Sequence, residues 1–140
     1  EGTVSYKDLQ LERYYDDVVY YTGNTPGSIE IDGVHYSHFF VSGIMGRPTG
    51  GEHPGYQLLN KHHGSCTAGH SHIIDYCSRT TANGGKIIGL IAGCYLDYTP
   101  DWCGETGKLW WRGVVVKRGV HNGNYDPEFI SIERLKREYK

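Results

Sequence analysis

The sequence predicts an α/β fold, rich in strands and flanked by short helices, on three observations. Gly accounts for 20 and Tyr for 12 of the 140 residues, a composition that suits strands and turns better than a helical bundle. The segment 86–95 is the most apolar run, with Ile87, Ile88, Leu90, Ile91 and Ala92 close together, as a strand buried on both faces requires. Residues 131–139 place Ile132, Leu135 and Tyr139 at helical spacings. A chain of 140 residues suffices for one domain with a real core. Its 38% hydrophobic and 21% charged content excludes a collagen-like or highly charged disordered chain. No run approaches the ~18 apolar residues of a membrane span, and no membrane partner is expected.

Taken in order, residues 1–27 form a lead-in. Leu9, Leu11, Tyr14, Tyr15, Val18 and Val19 suit a short helix running into an extended stretch, and Thr25-Pro26-Gly27 reads as a turn. A strand at 28–32 and a second at 34–42 meet across Asp32-Gly33, a dipeptide favoured in tight hairpins. Residues 43–55 are a Gly- and Pro-rich loop, and 56–61 a helix with Pro54 tolerated in its first turn. A short buried strand follows at 65–68, then a turn at 81–85. The central strand at 86–95 leads to a loop at 97–107 and another strand at 109–117. Asn122-Gly123 marks a further turn, and Ser131 is the expected N-cap of the terminal helix. No internal repeat or linker divides the chain, so 1–140 reads as a single domain or one segment of a domain.

The net charge of -2 offers no global attraction to nucleic acid. Locally, residues 1–33 carry -5 and residues 108–140 carry +4. Complementary surfaces or a solvated final helix explain this, with a phosphate-seeking basic face as the alternative. Cys66, Cys77, Cys94 and Cys103 form no C-x-x-C, which disfavours a zinc ribbon or a thioredoxin-type site. Two disulfides are arithmetically possible, but buried free thiols in a reducing compartment are the expectation. The sequence begins at Glu1 without a secretory signal, and we read it as processed, trimmed or part of something longer.

The densest set of metal-ligating side chains is Gly69-His70-Ser71-His72. In an extended segment, residues two apart share a side, so His70 and His72 are expected to present their imidazoles into one site. Glycine before the pair lets the backbone turn sharply or approach a ligand. A strand at 65–68 runs directly into the pair, a helix precedes it, and a strand further upstream carries His38. Strand, loop, helix, strand and G-H-x-H together resemble the C-terminal half of the calcineurin-like metallophosphoesterases, most closely phage-type members. The resemblance covers about residues 28–140. It continues through Gly89-Leu90-Ile91-Ala92-Gly93-Cys94-Tyr95, Leu109-Trp110-Trp111-Arg112-Gly113-Val114-Val115 and Glu128-Phe129-Ile130-Ser131-Ile132.

That resemblance implies the C-terminal half of a metallophosphoesterase-like fold, a partial layered β-sandwich. It implies metal ligation by His70 and His72, with His38 as the third histidine. The family's penultimate histidine stands directly before a glycine, whereas here Ser42 precedes Gly43 and His38 lies four residues back; His53 is the competing third ligand. The cofactor implied is a divalent transition metal (Mn, Zn or Fe), with two ions in the complete enzyme. The family's D-x-H, G-D and G-N-H motifs are absent from this sequence. Asp32-Gly33-Val34-His35 has one residue too many for the first, and Gly23-Asn24-Thr25 lacks the histidine of the last. Two-metal hydrolysis needs carboxylate bridges, so this chain is expected to be a segment of a phosphoesterase, a hydrolase of phosphate mono- or diesters, incomplete alone. The upstream half of the same protein, or another chain across an open sheet edge, is the expected partner. A non-catalytic protein-contact module in a phage-like assembly is the alternative. The compartment expected is the cytoplasm or a virion.

Other residues have plainer expectations beside the chemical ones. Arg47, in a Gly-rich loop lacking the P-loop pattern, is the candidate phosphate contact. His62 and His63 suit the C-terminal end of a helix, where the helix dipole favours them. Trp110 and Trp111 alternate on a strand, one ring for the core and one for an interface. Arg112 suits structural pairing.

Overall fold

The computed structural model describes residues 5–20, 23 and 25–139. β1 (Ser28–Ile31) and β2 (Val34–Ser37) pair antiparallel across Asp32 and Gly33. Both turn residues have positive φ, 50° and 78°, as a two-residue turn matching strand twist demands. Before this hairpin lie two short 3-10 turns, Tyr6–Leu9 and Leu11–Arg13, where the sequence suggested a helix. Pro26 and Gly27 lead straight into β1 rather than turning; Gly27 is pressed against Val19, where any Cβ would collide.

β2 ends four residues after it starts, not at Ser42 as the apolar run predicts. The Ser37 hydroxyl donates to the Gly27 and Phe39 carbonyls, and the chain leaves the sheet at His38. It forms a small antiparallel ladder, β3 (Val41–Ser42), at the end of the predicted strand, with β4 (Arg47–Pro48), inside the predicted loop. α1 (Pro54–His62) follows, with proline in the first turn and His63 closing it at a φ of 54°.

β5 (Ser65–Ala68), β6 (Ile74–Thr80) and β7 (Lys86–Ala92) complete a five-stranded sheet in the order β1-β2-β5-β7-β6. Its middle three strands, β2, β5 and β7, run parallel; β1 and β6 are antiparallel outer strands. β7 is therefore interior, as its apolar run predicts. A 3-10 segment, Asp101–Leu109, occupies most of the predicted loop. β8 (Gly113–His121) begins four residues later than the apolar pattern suggests. It pairs with β9 (Asn124–Ser131) as a separate two-stranded ribbon across Asn122 and Gly123. α2 (Ile132–Glu138) is capped by the Ser131 hydroxyl, which accepts from the Arg134 amide, as expected.

The molecule is thus a mixed α/β structure with three layers. On one face of the sheet α1 buries Leu58 against Cys66, Ala68 and Ile91, with Phe40 and Ile73 at the margin. On the other, the β8–β9 ribbon brings Tyr125 onto Val34, Ile88 and Leu90. The basic C-terminal residues are largely paired locally: Arg118 with Glu128, Arg134 with Glu138 and Lys136 with Asp97. This matches a solvated helix and ribbon better than a bare phosphate-binding face. The cysteines Cys66, Cys77, Cys94 and Cys103 are all free, Cys66 and Cys103 buried. Among the described residues, no helix is long and apolar enough to cross a membrane.

Candidate functional site

The parallel pair β2 and β5 ends on one edge of the sheet, and the histidines stand just beyond it. The His38 carbonyl accepts from both the Gly69 and His70 amides, at 3.2 and 3.0 Å. These bonds extend the pairing one step past the strands and set His38 beside His70. Their side chains meet at 3.1 Å between His38 Nε2 and His70 Nδ1, with ring centroids 5.0 Å apart and planes at 85°. Ligand sites of parallel sheets lie at this carboxyl edge because the strands end there and loops diverge around a crevice.

His72 reaches the same place by a different route from the extended segment predicted. Residues 69–72 form a turn in which the His72 amide donates to the Gly69 carbonyl, and His72 has a φ of 58°. The His72 carbonyl accepts from the Trp111 amide at 3.0 Å, which ties the turn to the strand-like approach of β8. His38, His70 and His72 then line one cavity of about 320 Å³ with Ser71, Trp102 and Trp110. The His72 ring stands edge-on to Trp110 at 4.3 Å, and Trp110 leans against Trp102 at 5.6 Å.

Burial and close neighbours favour the neutral form of His38 and His72. Burial, then the neighbouring His70 and His72, hold His38 below the ordinary imidazole value. Burial, then His70, does the same for His72. Neutral imidazole is the form that ligates metal. Two nitrogens on a tetrahedral zinc ion, at bonds of about 2.05 Å, stand ~3.3 Å apart, close to the His38–His70 separation. The same 3.1 Å separation is that of a hydrogen bond between the two imidazoles. A full sphere is another matter. No carboxylate lines this cavity, and among the described residues no three His, Cys, Asp or Glu side chains converge closely enough to enclose an ion.

The remaining predicted residues sit elsewhere. Arg47 is exposed on β4 opposite Ser42 and does not line the histidine cavity. His53 is the exposed N-cap of α1, also outside that cavity. His62 packs on the Phe40 ring and reaches Thr49 at 3.4 Å; burial, with His63, Lys61 and His35, lowers its pKa. Arg112 donates to the Thr99 hydroxyl and lies over Trp110, the structural pairing expected. Of the adjacent tryptophans, Trp111 packs on Phe129 and Trp110 faces the cavity. Sequence reasoning missed Trp102. It projects from an irregular 3-10 segment with no periodicity to mark its direction.

Comparison with protein-family models, with curated proteins and with solved structures finds no match to this chain.

Proposed function

We propose that this chain is the histidine-bearing, C-terminal part of a metal-dependent phosphoesterase acting on phosphate mono- or diesters. His38 and His70, with His72 beside them, are its ligands for a divalent transition metal such as Mn, Zn or Fe. The carboxylate ligands come from an upstream half of the same protein or from another chain, and the segment alone is not a complete enzyme. A divalent ion held there supplies positive charge to a phosphoryl group. One observation carries the reading: the 3.1 Å approach of His38 and His70 at the carboxyl ends of adjacent parallel strands. The G-H-x-H resemblance supports it.

Isothermal titration of the full chain with Zn²⁺ tests this. One ion per chain is expected, with affinity at least tenfold weaker in His38→Ala and in His70→Ala. Equal binding by the wild type and the double variant would overturn it. A second reading, a non-catalytic protein-contact module, draws on the exposed Tyr95, Tyr98 and Trp102; it predicts that equality.

A further inference from the structure

β6 forms one edge of the five-stranded sheet, with β7 on its inner side and no strand on its outer side among the described residues. Its register with β7 runs unbroken from Ile74 to Thr80, and bonds just past either end show which backbone groups face inward. The Ile73 carbonyl accepts from the Gly93 amide, and the Thr81 amide donates to the Gly85 carbonyl. Hydrogen-bonded and non-hydrogen-bonded positions alternate along an antiparallel pair, so the odd-numbered residues bond β7. Ile74, Tyr76, Ser78 and Thr80 therefore turn their amides and carbonyls outward. Such a row is a template for another strand. Over its seven residues β6 has no proline and no bulge to interrupt it.

Charge and symmetry select the occupant. Asp75 and Arg79 stand two residues either side of Cys77, on the same face of the strand. Along their own strand they are about 13 Å apart at ~3.4 Å per residue, too far to pair with each other. Neither forms an ion pair with any described residue. Asp75 accepts from the Gly55 amide through Oδ2, while Arg79 donates to Asn60 Oδ1 and lies over the Tyr56 ring; both keep further hydrogen-bonding capacity. The opposite edge strand, β1, has four residues and a single charge, Glu30, and offers no such complement to itself.

We propose that two copies of this chain pair through β6, antiparallel and in full register about Cys77, joining their sheets into one. This is the only register that pairs all seven residues. It bonds Ile74 with Thr80 and Tyr76 with Ser78 between copies, about eight hydrogen bonds at two per pair. Asp75 of each copy then stands opposite Arg79 of the other, at non-hydrogen-bonded positions where side chains approach most closely. Cys77 falls on the two-fold axis and faces itself, as an isologous interface requires. The pairing is independent of the phosphoesterase reading, and it leaves β1 open to an upstream half.

Light scattering of the full chain at about 100 μM tests this, since a dimer of micromolar Kd is largely complete there. Twice the chain mass is expected. Ser78→Pro removes an outward amide and none that bonds β7, a change that an edge strand tolerates, and is expected to raise the dimer Kd at least tenfold. Should that variant lack a native circular dichroism spectrum, Thr80→Pro, at the end of the strand, repeats the test. Oxidised glutathione reads the register in the wild type. Non-hydrogen-bonded partners have Cα atoms about 4.5 Å apart, within reach of a disulfide. Two Cys77 thiols and one oxidised glutathione then give one disulfide and two reduced glutathiones, and peptide mass mapping is expected to find Cys77 joined to Cys77. A monomer at that concentration overturns the proposal. So does a dimer that neither proline weakens, or one in which Cys77 does not join Cys77.

Discussion

Gly89, in the middle of β7, stands against Gly55, in the first turn of α1, with no side chain between them. A Cβ on Gly89 would overlap the Gly55 carbonyl oxygen, and one on Gly55 would lie 2.9 Å from the Gly89 carbonyl oxygen. The Gly55 amide donates to Asp75 Oδ2 at 2.8 Å, placing a carboxylate at the positive end of the helix. Together these contacts seat α1 directly on the sheet.

Gly89→Ala is therefore expected to push α1 outward. The atom it strikes is backbone and cannot rotate away, so the overpacking should cost about 2 kcal/mol and lower the Tm by roughly 5–10 °C. Thermal unfolding followed by far-ultraviolet circular dichroism measures this. An unchanged midpoint would show that the glycine contact does not hold the helix.

Ser65 ties three elements together from a buried position at the start of β5. Its hydroxyl donates to the Gly123 carbonyl at 2.6 Å and accepts from the Ile88 amide at 3.0 Å. The Gly123 amide in turn donates to the Asp32 carbonyl at 2.7 Å, so the two hairpin turns touch over this serine. Ser65→Ala removes both bonds and is expected to cost about 1–3 kcal/mol. Urea unfolding should show a lower midpoint with an unchanged slope; an equal midpoint would count against the serine as a tie.

Those local signals explain what was legible in the sequence and what was not. Asp32-Gly33 and Asn122-Gly123 announce their turns because both residues of each pair take positive φ, which few other residues do at low cost. Pro54, Leu58 and Ser131 similarly mark helix positions by local chemistry. The break after Ser37 could not be seen, because Phe39, Phe40 and Val41 continue the apolar run. At the break the Ser37 hydroxyl bonds the Gly27 and Phe39 carbonyls, contacts that no apolar pattern announces. β6 was hidden because an outer strand bearing Asp75, Ser78 and Arg79 lacks a clean apolar alternation. β9 was hidden by Pro127, tolerated because the ribbon has only one partner strand. At the site, G-H-x-H drew attention to two histidines that line one cavity, for a geometric reason that does not hold: a turn, not a strand, brings His72 beside His70.

The thiols should differ in reactivity. Cys66, buried under α1, has its pKa pushed up to about 11 by burial, and thiolate is the reactive form. Cys77 and Cys94 are only partly buried. Titration of the native chain with a chromogenic disulfide at pH 8 is expected to label Cys77 and Cys94 first, and Cys66 only after unfolding. Early labelling of Cys66, located by peptide mass mapping, would contradict the packing of α1 on β5.

Lys117 gives the fold a pH dependence of definite sign. On β8, its Nζ lies between the sheet and the ribbon, donating to the Thr67 hydroxyl at 2.6 Å. It stands 4.1 Å from the Tyr36 ring centroid and 4.6 Å from that of Tyr125. Ring faces and a hydroxyl replace the water and the carboxylate that an ammonium usually finds. Burial lowers its pKa to about 8, against about 10.4 in an unfolded chain. Between those values the unfolded state binds more protons, so this residue's contribution to stability rises with pH through that window and is flat below it. Cys66, Tyr36 and Tyr125, whose pKa values burial raises, act oppositely: the unfolded chain loses those protons first, and stability falls as pH climbs past their ordinary values. Lys117→Met retains the length of the side chain and removes only the amine. The stability of the wild type relative to this variant is therefore expected to increase between pH 8 and pH 10 by about 1 kcal/mol, the full shift being discounted for the amine's partial exposure to solvent, and to stay constant from pH 6 to pH 7.5. Urea unfolding of both proteins across that range measures it. A difference that does not change with pH would mean that Lys117 reaches solvent.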